Sequence, residues 1–327
     1  MNASRVLTVI LLIGGLAVAS LAVCQAAAPT YPTKAIEFVV HASPGGGGDV
    51  FARQISNIMT KEKIVPVAMP VVNKTGGGGA VAYTYVNGKK GDPYVIAHVS
   101  PVFLTTPLSG RSPVTYKDFT PIVRLIYDEE VILVKYDSPY KTLQDLIEAA
   151  KKNPKGIKQG GGSIGGSDTM ISHNIEKAAG VKFNFISYPS GGDGLIAMLG
   201  GHVDFVVGEP AEALAQAEAK KVRLLAVDAE KRLPGLPDVP SLYELGVNAD
   251  FKQWRGVVAP KDIPEEARVY LENAFEKMSK TEAWQAFMKR MQVTPAFARG
   301  AEFLKQLEKD NVDYVEPLKS QGLIKAK

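Results

Sequence analysis

A chain of 327 residues with 38 Lys and Arg against 34 Asp and Glu carries a formal charge of +4. The basic residues are scattered among the acids, which excludes the stripe of a nucleic-acid binder. One cysteine, Cys24, excludes a disulfide framework and a cysteine–zinc site, and the length suffices for two domains.

The N-terminus reads first. Arg5 precedes an apolar run from Val6 to Val23, and Cys24-Gln25-Ala26-Ala27-Ala28 supplies small residues before Pro29. A basic start, an apolar middle and a small-residue exit predict a secretory signal peptide over residues 1–28, cut between Ala26 and Ala28, and hence a periplasmic protein. The rival is a membrane anchor, since the run approaches the ~20 residues needed to span a bilayer. Gly14, Gly15 and the alanine-rich exit favour cleavage. Lipid attachment at Cys24 is the lesser alternative, because Val23 is bulkier than the residue usual before an acylated cysteine.

Beyond Pro29 strands and helices alternate. Ala35–His41 predicts a buried strand, stopped by Ser43-Pro44 and Gly45–Gly48, with Asp49 as a cap and Val50, Phe51, Ile55, Ile58 and Met59 at helical spacing. Val67–Val72 leads through Gly76–Gly79 into a helix at Ala80–Val86. Tyr94–Val99 ends at Ser100-Pro101, before Val102, Phe103 and Leu104. Helices are expected at Lys141–Lys152, from Met170 to Gly180, at Gly194–Leu199 and at Ala211–Lys220, and strands at Phe183–Tyr188, Val203–Val207 and Val222–Val227. The segment from Glu265 to Leu318 reads as mostly helical. Alternation of this kind predicts an α/β protein with parallel sheets covered on both faces.

An internal echo suggests the division. Val131–Val134 runs through Ser138-Pro139 into a helix, and Gly256–Ala259 runs through Pro260 and Pro264 into another. Two equivalent strands of this type suit the two crossings between a pair of lobes. The expected layout is residues 29–129 and 254–327 in lobe 1, with 130–253 as lobe 2.

Several predicted strands end in glycine and serine just before a helix. Parallel strands bind ligands at their carboxyl ends, and helix N-termini attract anions there. Ser43, Ser100, Ser163, Ser167 and Ser190 would add hydroxyl donors, and the amides of Gly46–Gly48 and Gly165–Ser167 backbone donors. Asp49 is expected to fix the first loop rather than touch ligand. Glu209, after Gly208 at a strand end, would receive a cationic ligand group or cap a helix.

Enzyme readings fare worse on the same residues. Gly161-Gly162-Ser163-Ile164-Gly165 fits the hydrolase elbow, but its triad would need His202 with Asp168 or Asp193, leaving no room for the intervening strands. A serine hydrolase using Ser163 is nevertheless the alternative. Gly160–Gly165 also fits a dinucleotide loop, yet no acid follows about twenty residues on. His41, His98, His173 and His202 lack metal spacing, so no metal or cofactor is expected.

The ordered blocks Tyr31-Pro32-Thr33-Lys34 with Ser43–Asp49, Val71–Lys74 before Gly76–Gly79, Tyr188–Gly192 with Leu199–Asp204, Leu236–Pro240 and Trp254–Pro260 resemble the Bug-type substrate-binding proteins of tripartite tricarboxylate transporters. The resemblance spans nearly all of the chain beyond residue 29. It implies a two-lobed Venus-flytrap fold of the type II kind, no catalysis, a monomer, and delivery of a small carboxylate to membrane permease subunits. Its ligand loops map onto Ser43–Asp49 and Ser100–Phe103 (with Pro101 and Val102) in lobe 1. In lobe 2 they map onto Gly162–Ser167, including Gly165 and Gly166, with Ser190, Gly191 and Gly192 nearby. Family members often carry a histidine at the start of the helix after the third loop. Here Asp168, Thr169 and Met170 stand there instead.

Overall fold

The computed structural model describes residues 31–248 and 251–324. The expected signal peptide and Cys24 lie outside the described residues.

The chain begins with β1 (Glu37–Val40), α1 (Gly47–Lys61), β2 (Val71–Asn73), α2 (Ala80–Asn87), β3 (Val95–Val99), α3 (Val102–Leu108) and β4 (Phe119–Asp128). Then follow β5 (Val131–Lys135), α4 (Leu143–Lys152), β6 (Lys158–Gly161), α5 (Ser167–Ala179), β7 (Asn184–Ser187), α6 (Gly191–Leu199), β8 (Phe205–Gly208), α7 (Pro210–Glu218) and β9 (Val222–Val227). The last part holds β10 (Gln253–Pro260), α8 (Glu265–Ser279), α9 (Glu282–Met291), β11 (Thr294–Arg299), α10 (Gly300–Asp313) and α11 (Val315–Ser320).

These strands build two sheets, ordered β11-β4-β10-β3-β1-β2 and β7-β6-β8-β5-β9. Each has a parallel trio, β2-β1-β3 in the first and β7-β6-β8 in the second. The expectation of mostly parallel sheets is corrected, because every pairing made by β4, β5, β10 and β11 is antiparallel. The cause is the route of the chain. It leaves the first sheet on β4 and returns on β10, and it enters the second on β5 and leaves on β9. Outgoing and returning strands that lie side by side must run in opposite directions.

Period two is visible in β1. Phe38 and Val40 join one core cluster with Phe51, Ile55, Ile58 and Met59 of α1, while Val39 faces the other side among Tyr83, Val86 and Phe103. Burying each such side chain stabilises the fold by about 1.5–3 kcal/mol. The helix at α4 starts where a capping box sets it, Thr142 Oγ1 accepting from the Asp145 amide at 3.1 Å while the Asp145 carboxylate accepts from the Thr142 amide at 2.9 Å.

The stretch after Glu265 is not helical throughout. β11 pairs with the outer edge of β4, with Arg299 opposite Val123 and Thr294 opposite Tyr127. The last helix crosses back, placing Ser320 Oγ 2.8 Å from His173 Nε2 on α5.

Glycine is required on β10. A methyl group on Gly256 would stand 2.6 Å from Phe303 Cζ and 2.7 Å from the Val123 carbonyl oxygen. Gly256→Ala is therefore expected to destabilise the protein by about 1–3 kcal/mol through overpacking, read as a lower urea midpoint with unchanged slope.

Candidate functional site

The two sheets face each other across a cavity of about 550 Å³, formed at the ends of β1, β3, β6 and β8 where the following loops turn into helices. Two of these loops are built alike. After β1, Gly45 adopts φ +81° and the Gly46 amide donates to the Ser43 carbonyl at 3.0 Å; after β6, Gly165 adopts φ +80° and the Gly166 amide donates to the Ser163 carbonyl at 2.7 Å. In each, the positive-φ glycine amide is tied to a side chain four residues on. Gly45 donates to Asp49 Oδ2 at 2.9 Å and Gly165 to Thr169 Oγ1 at 2.8 Å. Positive φ is what reverses the chain here, and glycine adopts it at little cost.

The consequence is a pair of opposed helix N-termini. Gly47 and Gly48 open α1, Ser167 and Asp168 open α5, and all four line the cavity. Amides in these first positions have no acceptor within their own helices, so both ends favour negative charge.

The expected site residues divide by their place in the structure. Gly47, Gly48, Ser100, Val102, Ser163, Gly166, Ser167, Ser190, Gly191, Gly192 and Glu209 line the cavity. Ser43, Gly46, Asp49, Pro101, Phe103 and Gly165 do not. Phe103 is core, edge-on to Tyr83 and Phe119, and Pro101 caps α3. The Gly46, Gly165 and Gly166 amides are spent within their own loops. Asp49 is buried and saturated, accepting from Gly45, from Arg53 Nε at 2.9 Å and from Asn73 Nδ2 at 2.9 Å, so it braces the first loop. Among the serines, Ser167 Oγ donates to Glu130 Oε1 at 2.5 Å and Ser190 Oγ to Asp193 Oδ2 at 2.7 Å. Ser100 and Ser163 keep their hydroxyls uncommitted among the described residues. His202, which a hydrolase triad would need, does not line the cavity.

Other lining residues escaped the sequence reading. Thr75–Gly79 forms one wall, with four consecutive glycines at positive φ and the Gly78 carbonyl accepting from Thr106 Oγ1 at 2.7 Å. The glycine run itself was the available signal. His41 and His98 stack at 5.3 Å between ring centroids. Burial, with Arg255 as a lesser cause, pushes His41 down to about 4, and burial holds His98 well below the usual imidazole range. Both rings are therefore neutral at pH 7.

Arg255 on β10 is the charged centre. It is 4 % exposed, donates through Nε to Asp128 Oδ2 at 2.7 Å, and pairs also with Glu209. Asp128 is pushed up to about 7 by burial, against the pull of Arg255. Burial likewise raises Asp168 to about 7 and Glu130 well above the carboxylate range. Glu209 lies so close to Gly47 that a methyl group on that glycine would overlap its carboxylate. Arg111 Nη2 donates to the Ile164 carbonyl at 2.5 Å, a second bond from one sheet's side of the cavity to the other's.

Two α/β lobes around a polar cavity flanked by helix N-termini make this a periplasmic-binding-protein fold. Residues 51–323 match the family described as tripartite tricarboxylate transporter family receptor, and the chain belongs to that family. A relative from Cupriavidus necator, named UPF0065 protein in gbd 5'region, is 31% identical over 311 residues, covering 92% of each chain. A TctC solute-binding protein from Polaromonas, solved without ligand, is 30% identical with a TM-score of 0.66 over 89% of this chain and 100% of its own. The periplasmic binding protein BugD is 26% identical with a TM-score of 0.84 over 90% of this chain and 100% of its own.

Proposed function

We propose that the protein is a periplasmic receptor that captures a small carboxylate and hands it to the membrane subunits of a tripartite tricarboxylate-type transporter, without catalysing any reaction on it. One observation carries the reading. The N-termini of α1 and α5, from opposite lobes, open onto the same cavity, with the Ser100 and Ser163 hydroxyls beside them. A carboxylate placed between them receives amides and hydroxyls from both sides. Membership of a transporter-receptor family supports the same assignment.

Capture and release then follow from hinge motion, with residues 29–129 and 254–327 as one lobe and 130–253 as the other. Strand membership supports this division, since the first sheet draws on residues 37–128 and 253–299 and the second on 131–227. The protein acts as a monomer in this scheme. A ligand that binds only the folded form stabilises it by about 2.7 kcal/mol at a hundredfold excess over its dissociation constant. Thermal unfolding against mono-, di- and tricarboxylates is expected to show such a shift for one chemical class. A flat response across the panel, also after unfolding and refolding to strip any carried ligand, would sink the proposal.

A further inference from the structure

We infer that α11 latches the two lobes together and holds the receptor near its closed posture before any ligand arrives. This rests on the hinge motion proposed above and supplies what biases it.

Pro317 places the helix. It has no N–H for the Asp313 carbonyl and its ring crowds that group, so α10 ends at Asp313 and the chain turns into α11. Gly322 at φ +73° closes α11, with the Leu323 amide donating to the Leu318 carbonyl at 2.9 Å. The turn sends Leu323 and Ile324 back against the core. α10 belongs to the first sheet's side, with Phe303 edge-on to Trp254 at 5.3 Å and Trp254 Nε1 donating to Asp310 Oδ2 at 2.8 Å. From there the chain crosses over. Tyr314 meets Phe251, in the segment that returns to β10, at 5.3 Å between ring centroids. Ser320 Oγ shares its hydrogen bond with His173 Nε2 on α5, and Gln321 Nε2 donates to Met170 Sδ at 3.3 Å. α11 is thus a third crossing, made by side chains alone, beside the two that the backbone makes.

Leu318 decides which posture this crossing favours. It is wholly buried, in one apolar cluster with Phe303 and Leu307 of α10 and Met170, Ile171 and Ile175 of α5. A methyl group on Gly165 would stand 3.4 Å from Leu318 Cδ2 and 3.3 Å from Thr105 Oγ1 of α3, so the three meet at one point. Gly165 sits in the loop that carries Ser163 and Gly166 into the cavity. Opening the cavity draws that loop away from α3, and α11 keeps its place on only one of them. Apolar surface at Leu318 then meets water, and closure buries it again with or without ligand. A receptor held mostly closed binds with nearly its full intrinsic affinity, because the competent fraction is close to one.

Spin labels on Val81→Cys and Ile196→Cys, in a chain carrying Cys24→Ser, measure the opening by dipolar distance. Both positions are exposed, on helices that adjoin the cavity from opposite sides. Gly46→Trp supplies the open reference, because even a methyl group there would stand 3.3 Å from Ser190 Cβ across the cleft. Protein unfolded and refolded to strip carried ligand is expected to show mainly the short distance. Leu318→Ala is expected to raise the ratio of open to closed about tenfold. Ser320→Ala with Gln321→Ala, at the exposed end of the latch, is expected to raise it about threefold and reports even where Leu318→Ala fails to fold. Thermal unfolding verifies that each variant is folded. Unchanged distances in the double variant or in folded Leu318→Ala overturn the inference. So does ligand-free protein that already stands at the Gly46→Trp distance. Short distances in every chain, the wedged one included, overturn the hinge as well. No ligand enters the measurement, so the carboxylate reading stands or falls by the thermal panel alone.

Discussion

Arg255→Met is expected to lower the unfolding free energy by about 3–5 kcal/mol at pH 8, the usual cost of stranding buried partners of opposite charge. Asp128 and Glu209 would be left facing each other in a site where Asp128 is 4 % exposed. The loss should shrink at pH 5, and the sign follows from proton binding. In the fold burial pushes Asp128 up to about 7, against 3.8 as its ordinary value, so between these values the native state holds a proton that the unfolded chain has released. Falling pH therefore stabilises the native state through Asp128. Without the guanidinium that carboxyl is neutral at pH 5 and its burial is no longer penalised. His41 acts in the opposite sense, being held neutral in the fold down to about 4, and it belongs to both proteins compared. Urea unfolding at the two pH values decides the matter. Equal losses at both would mean that the guanidinium matters for packing, including its place over the Phe51 ring, and not for charge.

Gly47→Ala should act on binding far more than on stability. Its methyl group would overlap the Glu209 carboxylate, which Arg255 pins from the far side. Either the lobes stop short of closure or Glu209 abandons Arg255. A ligand held from both sides is expected to bind about 10- to 100-fold more weakly, roughly 1.4–2.7 kcal/mol. Shortening the obstacle with Glu209→Ala in the same chain should return part of the loss, a coupling that a double-mutant cycle measures. Gly45→Ala serves as the contrast. No atom lies within 4 Å of its added methyl group, so any penalty there comes from the left-handed backbone alone, about 1 kcal/mol, and appears in stability. Additive effects of Gly47→Ala and Glu209→Ala would show that the two residues do not meet when ligand is bound.

What could be read from the residues was whatever they declare locally. Val222–Val227 is a strand with those same bounds, and α2 starts at Ala80 as its glycine run implied. The loops at Ser43–Asp49 and Gly162–Ser167 were visible because a positive-φ turn into a helix demands glycine at a set position. β6 gave little sign, since Lys158-Gln159-Gly160-Gly161 holds no apolar side chain. It lies inside because α6 packs directly on its backbone, a methyl group on Gly194 of α6 coming 3.1 Å from the Gly161 nitrogen. β11 was hidden by the helical spacing on either side of it. The charged centre was illegible for a different reason. Arg255 was recognisable as part of a motif, but its partner Asp128 is 127 positions away, joined through the register that sets Gln253 opposite Asp128. Sheet register is a property of strands together, and no window on the sequence contains it.

The likeness of the two glycine loops has a consequence for release. Each sheet's side of the cavity supplies one helix N-terminus and one uncommitted serine, so under the proposed hinge motion the cavity would behave as a chelator with two separable arms. With the arms together, the second presents itself at the high effective concentration of a tethered partner; with the arms apart, ligand keeps only one weak point of attachment. No covalent bond needs breaking for the ligand to go; what parting the two sides costs is the bonds that span the cavity, from Arg255 to Glu209 and from Arg111 to the Ile164 carbonyl. Any surface that engages both lobes in the open posture unloads the receptor by geometry alone.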